Sequence, residues 1–156
     1  MQTQMKLIIG CDLAAYDFKI SVVAALRAKG YMVEDVGCDS SMKGDYPVYA
    51  EKVAKRVVSG EFDRGLLICG TGQGMTMAAN KVKGARCALC FDLLPALLSR
   101  EHNDSNILAT GCWMISVEKY LEMVEVWLFG KYHGGVHQKR IDYMLEMDKN
   151  KSRNEQ

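Results

Sequence analysis

Charge of one sign is what this sequence most plainly lacks. Its 156 residues carry 20 basic and 19 acidic side chains, a formal net charge of +1. So even a balance gives no electrostatic pull toward nucleic acid or an anionic membrane surface. Long hydrophobic runs are missing as well. No segment is long and apolar enough to cross a bilayer. The opening MQTQMKLIIGCD sets no basic stretch ahead of a long apolar one, so no signal peptide is expected. Linkers and internal repeats are absent too. A single domain over residues 1–150 follows, with a polar, frayed tail at 151–156.

Nearly half of the residues are apolar, enough for a sizeable core. Six cysteines stand at 11, 38, 69, 87, 90 and 112, mostly in or at the ends of apolar runs. Without a secretory signal they read as free thiols in a reducing cytoplasm. Cys87 and Cys90 form a CxxC, but ARCALCFD reads as a strand. No second pair and no histidine cluster stands near it, so packing is expected there rather than zinc or redox chemistry.

Short apolar runs alternate with longer amphipathic ones. Strands are predicted at MKLIIGCD, YMVEDVG, Gly65–Cys69, Arg86–Phe91 and Asn106–Thr110. Helices are predicted at Ala14–Lys29, Tyr49–Ser59, Gly74–Val82, Pro95–His102, Ser116–Phe129 and roughly His137–Lys149. Pro47 suits the start of the second helix. This alternation predicts an α/β fold: one doubly wound, Rossmann-like, five-stranded parallel sheet with helices on both faces. Ligands of such sheets bind beyond the carboxyl ends of the strands. Asp12, Cys69 to Gly74 and Asp92 follow strands. His102 and Asn103 come just before the fifth strand. All are expected on one rim.

The stretch LLICGTGQGMTMAANKVKG, Leu66 to Gly84, ends a buried strand on a thiol. Gly70, Gly72 and Gly74 follow. A glycine turn leaves backbone N–H groups free to hold an anion. The GxGxG spacing is not the GxGxxG of dinucleotide folds, and the P-loop lysine is missing. A thiol beside a helix start is a candidate base or nucleophile, and amides within reach form an oxyanion hole. Base plus oxyanion hole is what proton abstraction next to a carbonyl requires. A packing cysteine is the competing reading.

Six stretches are quoted together: Gly10-Cys11-Asp12; Asp45-Tyr46-Pro47 with Tyr49-Ala50; Cys69 to Met75; Ala78 to Gly84; Ser99 to Asp104; and Gly134 to Arg140. In order along nearly the whole chain, they resemble the family of ribose-5-phosphate isomerase B and the galactose-6-phosphate isomerase subunits. The resemblance implies a cofactor-free, metal-free aldose–ketose isomerisation through a cis-enediol. It implies a homodimer or tetramer with the active site at the dimer interface, and a sugar or sugar phosphate as the small-molecule partner. The residue matching Cys69 is the base. The backbone matching Gly70 to Gly74 holds the enediolate. Those matching Thr71 and His102 open the sugar ring, with the histidine as acid. Asp12, Tyr46 and Asn103 match residues that hold hydroxyls. Gln73 and Met75, on the same loop, are grouped with the substrate-binding residues.

The departures are concentrated at the phosphate grip. Leu13 stands where the family has a histidine, and Trp113 and Val136 stand where it has arginines. Arg140 survives, with Lys139 beside it. A sugar phosphate therefore competes with an unphosphorylated sugar or uronate as the expected substrate. A non-catalytic sugar-binding subunit is a third reading. Trp113 reads equally as a core or interface residue and as a sugar-stacking one.

Overall fold

The computed structural model describes residues 4–39 and 45–153. Strands β1 (Lys6–Cys11), β2 (Met32–Asp35), β3 (Arg64–Cys69), β4 (Cys87–Leu89) and β5 (Ile107–Gly111) alternate with helices α1 (Tyr16–Ala28), α2 (Tyr46–Val58), α3 (Gln73–Ala79), α4 (Leu93–Asn103), α5 (Val117–Phe129) and α6 (Val136–Arg153). All strands are parallel, in the order β2-β1-β3-β5-β4. Helices α2 and α3 cover one face, and α1, α4 and α5 the other. The predicted doubly wound α/β sheet is the observed one.

The local chemistry explains the elements. In β1, β3 and β5 nearly every residue is buried, which is why these strands read as unbroken apolar runs. The Asp12 side chain accepts the Ala15 N–H and caps a short 3₁₀ turn, Leu13–Ala15, so α1 starts at Tyr16 rather than Ala14. Pro47 sits inside the first turn of α2, which therefore begins at Tyr46 rather than Tyr49. The Asp92 carboxylate accepts the Leu93 N–H and starts α4 before Pro95. Edge strand β4 is shorter than predicted. Asn80 exchanges two hydrogen bonds with the Cys87 backbone (2.8 and 2.9 Å), and Asn106 holds Arg86 N–H and Gly84 C=O. These side chains occupy backbone groups that a longer ladder would have used.

Cys87 and Cys90 are both buried, and burial pushes their thiols up to about 12 and about 11. Those are protonated core thiols, as packing cysteines are. Helix α6 continues past residue 150 to Arg153, and residues 154–156 of the expected tail lie outside the described residues. Of residues 136–150 in α6, only Ile141 is buried.

Among the described residues, two charges lie inside. Lys19 is 1% exposed and donates to Asp35 Oδ1 and the Cys38 carbonyl, both at 2.7 Å. Arg100 reaches Asp104 Oδ1 and the Ser105 carbonyl at 2.7 Å. Ser105 also accepts the Trp127 indole N–H at 2.7 Å, so a polar network fixes the junction of α4, β5 and α5.

Candidate active site

Cys69 ends β3 and is 5% exposed. Its Sγ accepts the Gly72 N–H at 3.1 Å. An N–H aimed at sulfur stabilises negative charge on it. Gly72 makes this possible with φ at 79°, a left-handed conformation. A Cβ there would strike Leu89 Cδ1 at 2.4 Å and the Thr110 backbone at 2.8 Å. The loop is also tied to the end of β5: Cys112 N–H donates to Cys69 C=O at 2.8 Å, and Trp113 N–H to Gly70 C=O at 3.0 Å.

Around this loop stand the other residues of the carboxyl rim. Asp12 follows β1, beside the end of β3, with its N–H on Ile68 C=O at 3.2 Å. Burial raises its carboxyl above the usual range, opposed by the Ala15 N–H. Thr71 is exposed, and its hydroxyl accepts the Gln73 N–H at 3.4 Å. Gln73 is exposed too. The Tyr46 ring lies where a Cβ on Gly74 would be, 2.5 Å away, and the Trp113 ring does the same at Gly70 at 2.7 Å. Trp113 is 72% exposed, so it is not a core residue; it covers the glycine loop. Leu13, 52% exposed, and Met114 add apolar surface to the same rim. Met75 is different. Its side chain is fully buried in the core.

His102 and Asn103 are not on this rim, contrary to the expectation. Helix α4 leaves β4 at the carboxyl rim and runs back against the strand direction. Its last residues therefore meet the amino ends of the strands. Asp104 C=O accepts Arg86 Nε–H, and Asn106 C=O accepts the Gly65 N–H at the start of β3. Five strand steps from Arg64 to Cys69 measure about 16 Å. Val136 and Arg140 belong to the His102 end: His137, on the same first turns of α6, stacks on His102 with centroids 4.4 Å apart and planes 6° apart. Burial lowers His137 below the usual imidazole range, and His102, Arg140 and His133 add to it. Val136, 64% exposed, and Arg140 are at the surface.

Sequence reasoning missed His133. It lies between α5 and α6, with its N–H on Glu101 C=O at 2.9 Å and Nε2 3.7 Å from Glu101 Oε2. The signal was present as HGGVH, two histidines four residues apart. It also missed the buried Lys19, whose position in α1 has no pattern to mark it.

Residues 7–144 match the family described as Ribose/Galactose Isomerase. The chain is 42% identical to ribose-5-phosphate isomerase B of Escherichia coli over 147 residues, 94% of this chain and 99% of the other. It is 36% identical to a 4-deoxy-4-sulfo-D-erythrose isomerase of a Clostridium species, over 90% of this chain and 89% of that one. It superposes on the solved ribose-5-phosphate isomerase B of Clostridium thermocellum with a TM-score of 0.91 at 43% identity, over 94% of this chain and 99% of that one. With its parallel sheet and its cysteine-ended glycine loop, the chain belongs to the ribose/galactose isomerase family and is an aldose–ketose isomerase.

Proposed function

We propose that the protein interconverts a sugar phosphate, ribose 5-phosphate or a close analogue, with its ketose through a cis-enediol. Cys69 is the base. Its thiolate takes the proton from C2 of the open-chain aldose, and the carbonyl electrons move to O1. The amides of the Gly70 to Gly74 loop stabilise that oxyanion; the O2 hydroxyl proton then passes to O1, the carbonyl forms at C2 and the thiol returns its proton to C1. His102 and Thr71 open the sugar ring, and Asp12, Tyr46 and Asn103 hold hydroxyls. The observation that carries the reading is the Gly72 N–H directed at Cys69 Sγ at 3.1 Å, in the glycine turn that ends β3.

The working unit is two copies of the chain. The about 16 Å between the Cys69 end and the His102 end of β3 is too far for one sugar to touch both. A second copy laying its His102 rim on the first copy's Cys69 rim brings them together. Helix α6 supports this reading. Val136, Tyr143, Met144 and Met147 are exposed along it, an apolar face that a second copy covers. The six free thiols suit a reducing cytoplasm.

A second reading keeps the chemistry and changes the substrate. Leu13, Trp113 and Val136 are exposed apolar side chains where charged phosphate ligands are expected. Three hydrogen bonds to a charged group, each about 1.5–3 kcal/mol, sum to about 4–8 kcal/mol. At about 1.4 kcal/mol per factor of ten, that is several orders of magnitude in affinity. One relative is named for a sulfo sugar. An unphosphorylated sugar or uronate, with Arg140 pairing a carboxylate, fits that surface. A non-catalytic subunit is disfavoured because Cys69 and His102 are both retained.

The test is purified protein assayed side by side on ribose 5-phosphate, free pentoses and hexoses, and unsaturated uronates, following ketose formation. Turnover of ribose 5-phosphate supports the first reading. Turnover of an unphosphorylated sugar alone replaces it with the second. No turnover of any aldose sinks both.

A further inference from the structure

The chain has three histidines, and all three meet at one place. His102 comes from the last turn of α4, His133 from the loop before α6, and His137 from the first turn of α6. One ring nitrogen from each lies within 4.8 Å of the others. Gly134 and Gly135, with φ of 64° and 58°, fold the chain back so that His133 and His137 reach the same point. We propose that His102, His133 and His137 form a binding site for a divalent transition-metal ion of the zinc type, and that the bound ion switches the enzyme off by engaging His102.

Three features support it. Three imidazoles with an open fourth position are a common donor set for Zn²⁺. Zn–N bonds of about 2.0–2.1 Å put tetrahedral nitrogens about 3.4 Å apart. The present spacing closes to that by turning the rings, because the terminal imidazole torsion is soft. Finally, Glu101 is placed as the outer partner. Its Oε2 stands 3.7 Å from His133 Nε2, which leaves Nδ1 for the ion. Metal-bound histidines ordinarily hold a carboxylate on the other nitrogen. Arg140 is close enough to act on His137, and Glu101 is the carboxylate beside His133.

The loss of activity rests on the reading of His102 given above. Metal binding does not, so the two are measured separately. The reduced full-length protein is titrated with Co²⁺ and read by its visible absorption. One Co²⁺ per chain with tetrahedral bands and no thiolate charge-transfer band is the expected result. His133→Ala, which removes a ligand outside the catalytic set, weakens Co²⁺ by more than about ten-fold and keeps metal-free turnover. Zn²⁺ inhibits the wild type, a chelator restores it, and His133→Ala resists. Cys69→Ala, inactive by the proposed mechanism, binds Co²⁺ as the wild type does. A thiolate band overturns the proposal. So does equal Co²⁺ affinity in His133→Ala and wild type, equal Zn²⁺ sensitivity of the two, or no binding tighter than about 1 mM. A wild type that binds Co²⁺ but isomerises nothing overturns the functional reading and leaves the metal site standing.

Discussion

Two inactive variants are expected to rescue each other. On the proposed mechanism Cys69→Ala removes the base and His102→Ala the ring-opening acid, at opposite rims of one chain. A general acid or base must come within about 3 Å of the proton that it moves. The about 16 Å along β3 between the two ends exceeds that several-fold. Each homo-oligomer of either variant therefore has no complete site. When both are co-expressed and assemble at random, half of the dimers are mixed. A symmetric mixed dimer has one site with both residues and one with neither. The expected recovery is about one quarter of wild-type activity, since half of the dimers carry one working site of two. The assay is ketose formation by co-expressed protein purified through one tag common to both variants, beside each variant alone and a wild-type control of equal concentration. Activity no higher than the sum of the parents refutes the two-copy site. Substantial activity in either parent alone refutes the role given to its missing residue.

Further expectations concern single changes. Gly72→Ala forces a side chain into a left-handed position at about 1–2 kcal/mol and against Leu89 and Thr110 at about 1–3 kcal/mol; kcat falls by about 10²–10³ as the amide leaves the sulfur, and an unchanged kcat refutes the role of that amide. Trp113→Arg with Val136→Arg raises kcat/KM on ribose 5-phosphate at least about ten-fold relative to free sugars; a uniform effect on both shows that these positions do not face the phosphate. Lys19→Ala leaves Asp35 only the Gly37 N–H and lowers unfolding free energy by about 3 kcal/mol in denaturant titration; a loss within error contradicts the account of this ion pair. Glu61 is held below its ordinary 4.5 by hydrogen bonds from Arg56, and Asp92 below 3.8 by the Leu93 N–H. Lowered carboxyls stabilise the fold above those values and lose that contribution as pH falls through the folded ones. The thermal midpoint therefore drops in acid, and less so in Glu61→Gln with Asp92→Asn; equal acid sensitivity rules out this origin.

Much of the architecture could be read without coordinates, because buried parallel strands announce themselves. LLIC and KLIIGC allow no other comfortable setting, and the helices between them carry their apolar residues at helical spacing. The thiol at the end of β3 and the glycines after it were legible for the same reason: strand end, turn and helix start are local events. What failed was direction. His102 was placed by its nearness to β5 in the chain, but a helix that returns against the sheet carries its last turn to the far rim. Met75 was assigned with its loop, although the turn of α3 points it inward. Trp113 needed coordinates, since only the space over Gly70 tells a loop-covering ring from a core one. The edge of β4 was lost to Asn80 and Asn106, whose side chains mimic peptides and leave no periodic trace.

One consequence follows from how tightly the glycine loop is seated. A Cβ on Gly111 would stand 2.6 Å from the Thr71 carbonyl carbon, and one on Gly72 would enter the Thr110 backbone. Backbone this close to backbone has no slack. The Cys69 cradle therefore works as a fixed anvil rather than a closing jaw. Its amides are aimed before any sugar arrives, so no binding energy goes into shaping them. Water must then be kept out by what lies above the cradle: the Trp113 and Tyr46 rings and, in the proposed pair, the surface of the second copy. In that pair the traffic of sugar in and product out passes through the seam, and gating, ordinarily a property of a loop, becomes a property of the assembly.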